Sequence, residues 1–390
     1  MGDNRRNFIR KSIGYAAAIS AGNSGRGRGD HGHDGGAPDA GGRKPTPMDI
    51  RIQKEVVRDA GMQMSEAYFD GFNQHKIALC RQMDVLGAVA GINPKMVGLD
   101  ARPWELGAVQ AVKNAWDNEG LKMTVIEGPP SLGEKTKLGL EGRDEEIANF
   151  ITFMHNLQKV GIDTICYNWM PVIGWYRTDN AKRGRGGALV TAFDNDDIKD
   201  AAPTPYGQVS KEQLWATLEY FLKAVVPEAE KTGIKLAMHP DEPQVDQIKG
   251  ISRIMTTVDN FKRMLDIYPS PNNGITMCQG NFSLMGVDIP AVVRDFGKRK
   301  AIHFVHFRNV RGGKFKFEET FHDDGQIDMY EAMRAYYEIG FRGPIRPDHV
   351  PTMAEDSNSF PGYSTIGTLY ANGYIRGLME AVSKEKTAHI

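Results

Sequence analysis

Four short runs decide how this chain folds: KLAMH at 235–239, GITMC at 274–278, IHFVH at 302–306 and GPIRPD at 343–348. Each is an apolar stretch that stops on a polar residue, in turn His239, Cys278, His306 and Asp348. Upstream, Val85–Ala90, Lys122–Glu127 and Thr164–Asn168 read as strands too, with a weaker candidate at Met62–Ala67. Amphipathic stretches lie between them. Lys211–Thr232 and Met329–Ile339 are the clearest helices, and Gly340 is placed as the C-cap of the second. Strands that alternate with helices argue for a parallel sheet. Eight of them predict a (β/α)₈ TIM barrel. The alternative, a doubly wound open sheet, lacks its expected GxGxxG after the first strand.

In a TIM barrel, catalytic groups project from the C-terminal ends of the strands. Four successive strand ends therefore converge on one point, and they bring two imidazoles, a thiol and a carboxylate. That set suits a divalent transition metal. One His or Cys at a strand end is more often structural than a ligand, and an Asp there often caps a turn. The coincidence over four consecutive strands favours a metal site at His239, Cys278, His306 and Asp348. By affinity alone, imidazole and thiolate suit Zn²⁺ or Fe²⁺ better than Mn²⁺.

Composition excludes several classes. The chain has 390 residues, 41% hydrophobic and 25% charged, with 48 basic against 49 acidic residues. Balanced charge gives no electrostatic reason to expect nucleic acid. No apolar run reaches the roughly 20 residues that span a bilayer. Three cysteines, Cys80, Cys166 and Cys278, form no CxxC pair, so neither a disulfide scaffold nor a zinc ribbon is expected. A homodimer is the base-rate oligomer.

The first fifty residues read as something other than barrel. Residues 1–21 contain Arg5-Arg6, Phe8, Arg10-Lys11 and a short apolar stretch, Ile13–Ala21. This order resembles a twin-arginine export signal, which implies a periplasmic or exported protein. A basic tail of no function would leave the protein cytoplasmic. Residues 22–48 are rich in Gly, Asp and Arg and read as a flexible linker, in which His31 and His33 are solvated. The catalytic domain is assigned to 49–390.

Longer stretches extend the pattern: CYNWMPVIGWYRTD (166–179), YFLKAVVPEAEKTGIKLAMHPDEP (220–243), GITMCQG (274–280), HFVHFRNV (303–310), DDGQIDMYEAM (323–333), GPIRPDH (343–349) and PGYSTIG (361–367). In this order they resemble the mannonate dehydratase family, over roughly residues 120 to 385. The resemblance implies a xylose-isomerase-like TIM barrel and a hydro-lyase. Its reaction converts D-mannonate to 2-keto-3-deoxy-D-gluconate in hexuronate catabolism, with Mn²⁺ or Fe²⁺. It carries the metal ligands onto the same four residues and the acid–base pair onto His349 and Tyr363. Which of the two is acid stays open. Arg177 becomes a candidate for binding the sugar-acid carboxylate, because a guanidinium matches it, with a structural ion pair as the equal alternative; Arg308 and Asn309 become candidates for holding its hydroxyls. Arg346 is more readily an ion pair. His322 and Asp328 belong to a loop and a helix start.

The first third departs from the family. GAVAGINPKM stands where the family carries a pair of histidines, and PSLGEKTK keeps Glu134 and Lys135 but loses a histidine. HVPTM replaces the usual text after the last ligand. These changes fall in loops that choose substrates, so another sugar acid is an open alternative. A sugar isomerase or epimerase on the same barrel, and a sugar-acid-binding protein without catalysis, are the rival readings.

Overall fold

The computed structural model describes residues 61–387. In chain order its strands are β1 (Gln63–Ala67), β2 (Gly87–Ala90), β3 (Lys122–Glu127), β4 (Thr164–Asn168), β5 (Asp179–Arg183), β6 (Leu189–Asp194) and β7 (Lys235–His239). They continue as β8 (Gln247–Ile248), β9 (Ile251–Ser252), β10 (Asn273–Cys278), β11 (Ile302–Phe307), β12 (Val310–Gly313), β13 (Lys316–Glu319) and β14 (Pro344–Pro347). Eight of these close a barrel in the order β1-β2-β3-β4-β7-β10-β11-β14, with β14 paired back to β1. All eight pairings are parallel. The weak candidate near Met62–Ala67 is thus a true strand. Asp348 falls one residue past β14 rather than inside it. The signal and linker assignments at 1–48 lie outside the described residues.

Helices return the chain between barrel strands, as a parallel sheet requires. The helix Lys211–Thr232 shows why the sequence forms them. Ser210 caps its start by accepting from the Gln213 amide at 3.1 Å, and Gly233 ends it at φ 72°. Leu214, Leu218, Phe221, Leu222, Val225, Val226 and Ala229 are buried. Their spacing of three and four places them on one stripe against the sheet. Burying a ring such as Phe221 stabilises by about 1.5–3 kcal/mol. Phe221→Ala would cost about 3–5 kcal/mol once the cavity is included. The helix expected to reach Ile339 ends at Glu338, with Ile339 at the cap and Gly340 at φ 66°.

A second sheet was not foreseen. Hairpins β5–β6 and β12–β13 leave the barrel after β4 and β11 and join antiparallel, in the order β12-β13-β6-β5. Phe193 and Phe317 meet across them at 5.7 Å. Both hairpins follow C-terminal strand ends, so this sheet stands at the barrel mouth.

Inside the barrel, Val89, Val125, Cys166, Ala237 and Phe304 form an apolar floor beneath the strand ends. Phe304 meets the His306 ring edge-on at 4.6 Å. At β1, a buried Glu66–Lys76 ion pair of 2.8 Å is joined by Asn372 from the last helix, which donates to Glu66 at 3.1 Å. Among the described residues, no helix is long and apolar enough to cross a membrane.

Candidate active site

The four strand ends converge. His239 Nε2 lies 3.2 Å from His306 Nδ1, which lies 3.5 Å from Asp348 Oδ2, and Cys278 Sγ is 3.8 Å from that same oxygen. All four residues are buried. His239 Nδ1 donates to the Pro240 carbonyl at 2.8 Å, which leaves the neutral ring's Nε2 as a lone-pair donor. Donor atoms bound at about 2.0–2.3 Å to one shared ion stand roughly 3–4 Å apart. The ligand atoms of His239, Cys278 and His306 all lie within 4.8 Å of one another, and Asp348 adjoins the last two. The charge balance fits as well. Burial and Arg346 oppose a proton on His306, yet Glu127 and Asp348 together lift its pKa to about 9. Positive charge is favoured here. Burial alone would raise the Asp348 pKa, but His349, Arg346 and His306 hold it well below the usual range. The outer nitrogen of His306, Nε2, has no hydrogen bond and faces Glu127 at 3.5 Å.

His349 and Tyr363 stand beside these residues. Their rings meet edge to face at 5.6 Å, and the Tyr363 hydroxyl donates to Asp348 Oδ1 at 3.2 Å. Burial, reinforced by Asp348, pushes the Tyr363 pKa well up, so the phenol keeps its proton. His349 Nδ1 lies 3.1 Å from Glu319 Oε1. Burial opposes the charge on Glu319, but Arg308, His349 and Arg177 lower its pKa to about 2. An ionised carboxylate only accepts. The proton of a neutral His349 therefore sits on Nδ1, and Nε2 carries the lone pair, 3.7 Å from Asp348 Oδ1. The backbone of His349 takes φ 42°, a left-handed conformation that turns the chain just after Asp348.

Arg177, read as a carboxylate clamp or an ion pair, and Arg308, read as a holder of hydroxyls, are both engaged by the protein's own acids. Arg177 donates to Glu319 at 2.6 and 3.2 Å, to Glu242 at 3.0 Å and to the Tyr176 carbonyl at 3.1 Å. Arg308 binds Glu319 and, at 2.7 Å, Glu242. Its Nε points at Asp348 Oδ2 at 2.9 Å and Cys278 Sγ at 3.2 Å. Gly280 makes room for it, since a Cβ there would stand 2.7 Å from the guanidinium. Arg346 grips Glu127 with two bonds of 3.0 Å and Asp348 with one of 2.8 Å, the ion pair its position suggested. Asn309 is a brace. Its amide donates to the carbonyls of His322 and Ile327, and its oxygen accepts from the amides of Val310 and Ile327. Four of the five Arg177 donors and both Asn309 amide hydrogens are thus engaged within the protein.

Two buried acids, Glu242 and Glu319, organise the site and were missed in the sequence. One signal existed. Alternation along β13 puts Glu319 on the same face as buried Phe317. The text kept after β3 also resolves differently. Glu134 accepts from the Val172 amide at 2.8 and 2.9 Å. The buried lysine of that segment is Lys137, not Lys135. Asp328 caps the helix Met329–Glu338, as read from the sequence.

A closed eight-stranded barrel with this donor set and a His–Tyr pair at its mouth defines the class, a TIM-barrel enzyme. The sequence profile of the D-mannonate dehydratase family matches residues 62–205 and 203–389. The chain belongs to the D-mannonate dehydratase family. It is 35% identical over 351 residues to mannonate dehydratase 2 of Halalkalibacterium halodurans, covering 83% of this chain and 100% of that one. It is 36% identical over 351 residues to the mannonate dehydratase of Streptococcus uberis, covering 83% and 99%. The crystal structure of mannonate dehydratase from Streptococcus suis serotype 2 superposes with a TM-score of 0.75 at 33% identity, over 84% of this chain and 95% of that one. A D-tagatose 3-epimerase-like protein shares the fold alone, with a TM-score of 0.54 at 12% identity over 83% and 99% of the two chains. The family match begins at residue 62, well before residue 120, where the resemblance read from the sequence starts.

Proposed function

We propose that this chain is a hydro-lyase that converts D-mannonate to 2-keto-3-deoxy-D-gluconate and water. One observation carries the reading: His239, Cys278 and His306 cluster, Asp348 adjoins the last two, and His349 and Tyr363 both stand against Asp348. His349 Nε2, with its Nδ1 proton tied to Glu319, is the group set up to take the C2 proton of the substrate. Tyr363, held protonated, is the group set up to donate to the departing C3 hydroxyl, which leaves as water. The remaining enol becomes the 2-keto product. A divalent cation held by His239, Cys278, His306 and Asp348 supplies positive charge against the anion that develops as C2 loses its proton. Mn²⁺ is the ion assigned, with Fe²⁺ as the other, on the family's precedent.

The glutamates and arginines around this centre have a separate task. Glu319 fixes the His349 tautomer, and Glu242 with Arg177 and Arg308 holds Glu319 in place. A sugar isomerase or epimerase is the weaker reading, because only one of the four converging donors is a carboxylate. Purified chain loaded with Mn²⁺ should form 2-keto-3-deoxy-D-gluconate from D-mannonate, and chelator or Cys278→Ala should stop it. Metal-loaded protein that leaves D-mannonate unchanged would overturn the substrate. The export route and the homodimer belong to the same proposal. Unchanged export of an Arg5→Lys/Arg6→Lys double variant would sink the first, and a monomer in sedimentation equilibrium the second.

A further inference from the structure

Lys137 lies in the five-residue helix Glu134–Leu138, after β3. Its side chain is buried, and its ammonium donates to Asn168 Oδ1 at 3.0 Å. Asn168 ends β4 and is the register partner of His239 on β7. Register partners on neighbouring parallel strands send their side chains to the same face. Asn168 therefore faces the barrel mouth beside a metal-ligand residue, and it holds the Lys137 ammonium there. An ammonium has three donors. Among the described residues, one is engaged and the other two have no acceptor.

Charge separates this lysine from every other cation at the mouth. Arg177, Arg308 and Arg346 each lie against buried carboxylates. Lys137 forms no ion pair among the described residues. Burial drives its pKa down to about 8, partly offset by the more distant Glu134, Asp241 and Glu146, while Arg253 adds to the fall. A buried charge without a paired opposite is costly, and an arriving anion relieves it. A neutral hydroxyl does not.

We propose that Lys137, positioned by Asn168, binds the carboxylate of the sugar-acid substrate at the β4 side of the mouth. This rests on the function proposed above. It makes Lys137 a specificity residue for acids over neutral sugars, in the place first assigned to Arg177.

The test uses the full chain, metal-loaded, in a Tyr363→Phe background that slows turnover, with and without Lys137→Met. Calorimetric titration with D-mannonate gives Kd, and thermal unfolding without substrate gives Tm. The expected result is binding weakened about 30-fold or more in Lys137→Met, with metal content unchanged and Tm equal or higher, because a lone buried charge has been removed. Lys137→Arg, which keeps the charge, should recover part of the affinity. Unchanged Kd in Lys137→Met overturns the inference. So does a lower Tm, which would make Lys137 a structural cation. If the parent chain dehydrates D-mannonate and Lys137→Met keeps its Kd, only this inference fails. If the parent neither binds nor dehydrates D-mannonate, the proposed function fails and takes this inference with it.

Discussion

The barrel mouth has two unlike arcs. Along β7, β10, β11 and β14 the strands end at or beside buried His239, Cys278, His306 and Asp348, and nearly every charge there has an opposite charge in contact. Along β1 to β4 they end in Ala67, Ala90, Glu127 and Asn168, and the cation nearby, Lys137, has no acid partner. The text that departs from the family, GAVAGINPKM after β2 and PSLGEKTK after β3, falls in this second arc. The difference teaches that one arc balances its charges within the protein, while the other, on the inference above, is the side on which a substrate would complete the charge pattern.

Substitutions break that comparison in order of expected size. Tyr363→Phe should lower kcat by about 10³-fold with little change in metal content, as expected for loss of a general acid. A kcat within threefold of the parent would remove Tyr363 from the chemistry. Cys278→Ala should weaken metal binding by more than the roughly 100-fold that loss of an outer partner costs, read by competition with a chelating dye. Glu319→Gln should reduce kcat by about 10- to 100-fold and stability by roughly 3–5 kcal/mol, since it leaves Arg177 and Arg308 under-compensated. Urea unfolding beside steady-state kinetics measures both, and a stability loss with normal kcat would confine Glu319 to structure.

The smallest effect is a pH dependence. His303 and His322 are buried, and burial lowers their pKa from 6.5 to about 4. Below pH 6.5 the unfolded chain binds protons that the folded chain refuses, so stability should fall as pH drops from 6.5 to about 4. Glu127 and Glu319, both lowered from 4.5 to about 2, add a second fall over that lower window. In metal-free protein His306 acts in the opposite sense. Its pKa is raised from 6.5 to about 9, so its contribution is lost as pH rises through that range. Urea midpoints of metal-free protein should therefore peak near pH 6.5. A flat profile from pH 8 to pH 5 would contradict this balance.

Legibility followed the range of the interactions. Each of the four converging residues was visible because it closes its own apolar run, a local signal. The helix Lys211–Thr232 was readable to the residue because Ser210 and Gly233 mark its ends chemically. The roles of Arg177 and Arg308 were not. Glu319 lies 142 positions from Arg177 and arrives on β13, whose pairing with β6 no periodicity announces. Lys135 and Lys137 differ only in which side of a five-residue helix they occupy, too short a segment for a pattern to choose. Asn309 follows Arg308 in the text, yet its contacts run to His322 and Ile327, across a loop whose path the sequence does not display.

The barrel seam, where β14 pairs with β1, is also where Asp348 emerges. During synthesis residue 348 must be made before the donor set is whole, by which time all eight barrel strands have been made. An ion therefore has no complete cage to organise in the nascent chain. On the proposed function, a cation there would meet a nearly finished protein and would tie the end of the last strand to three earlier ones.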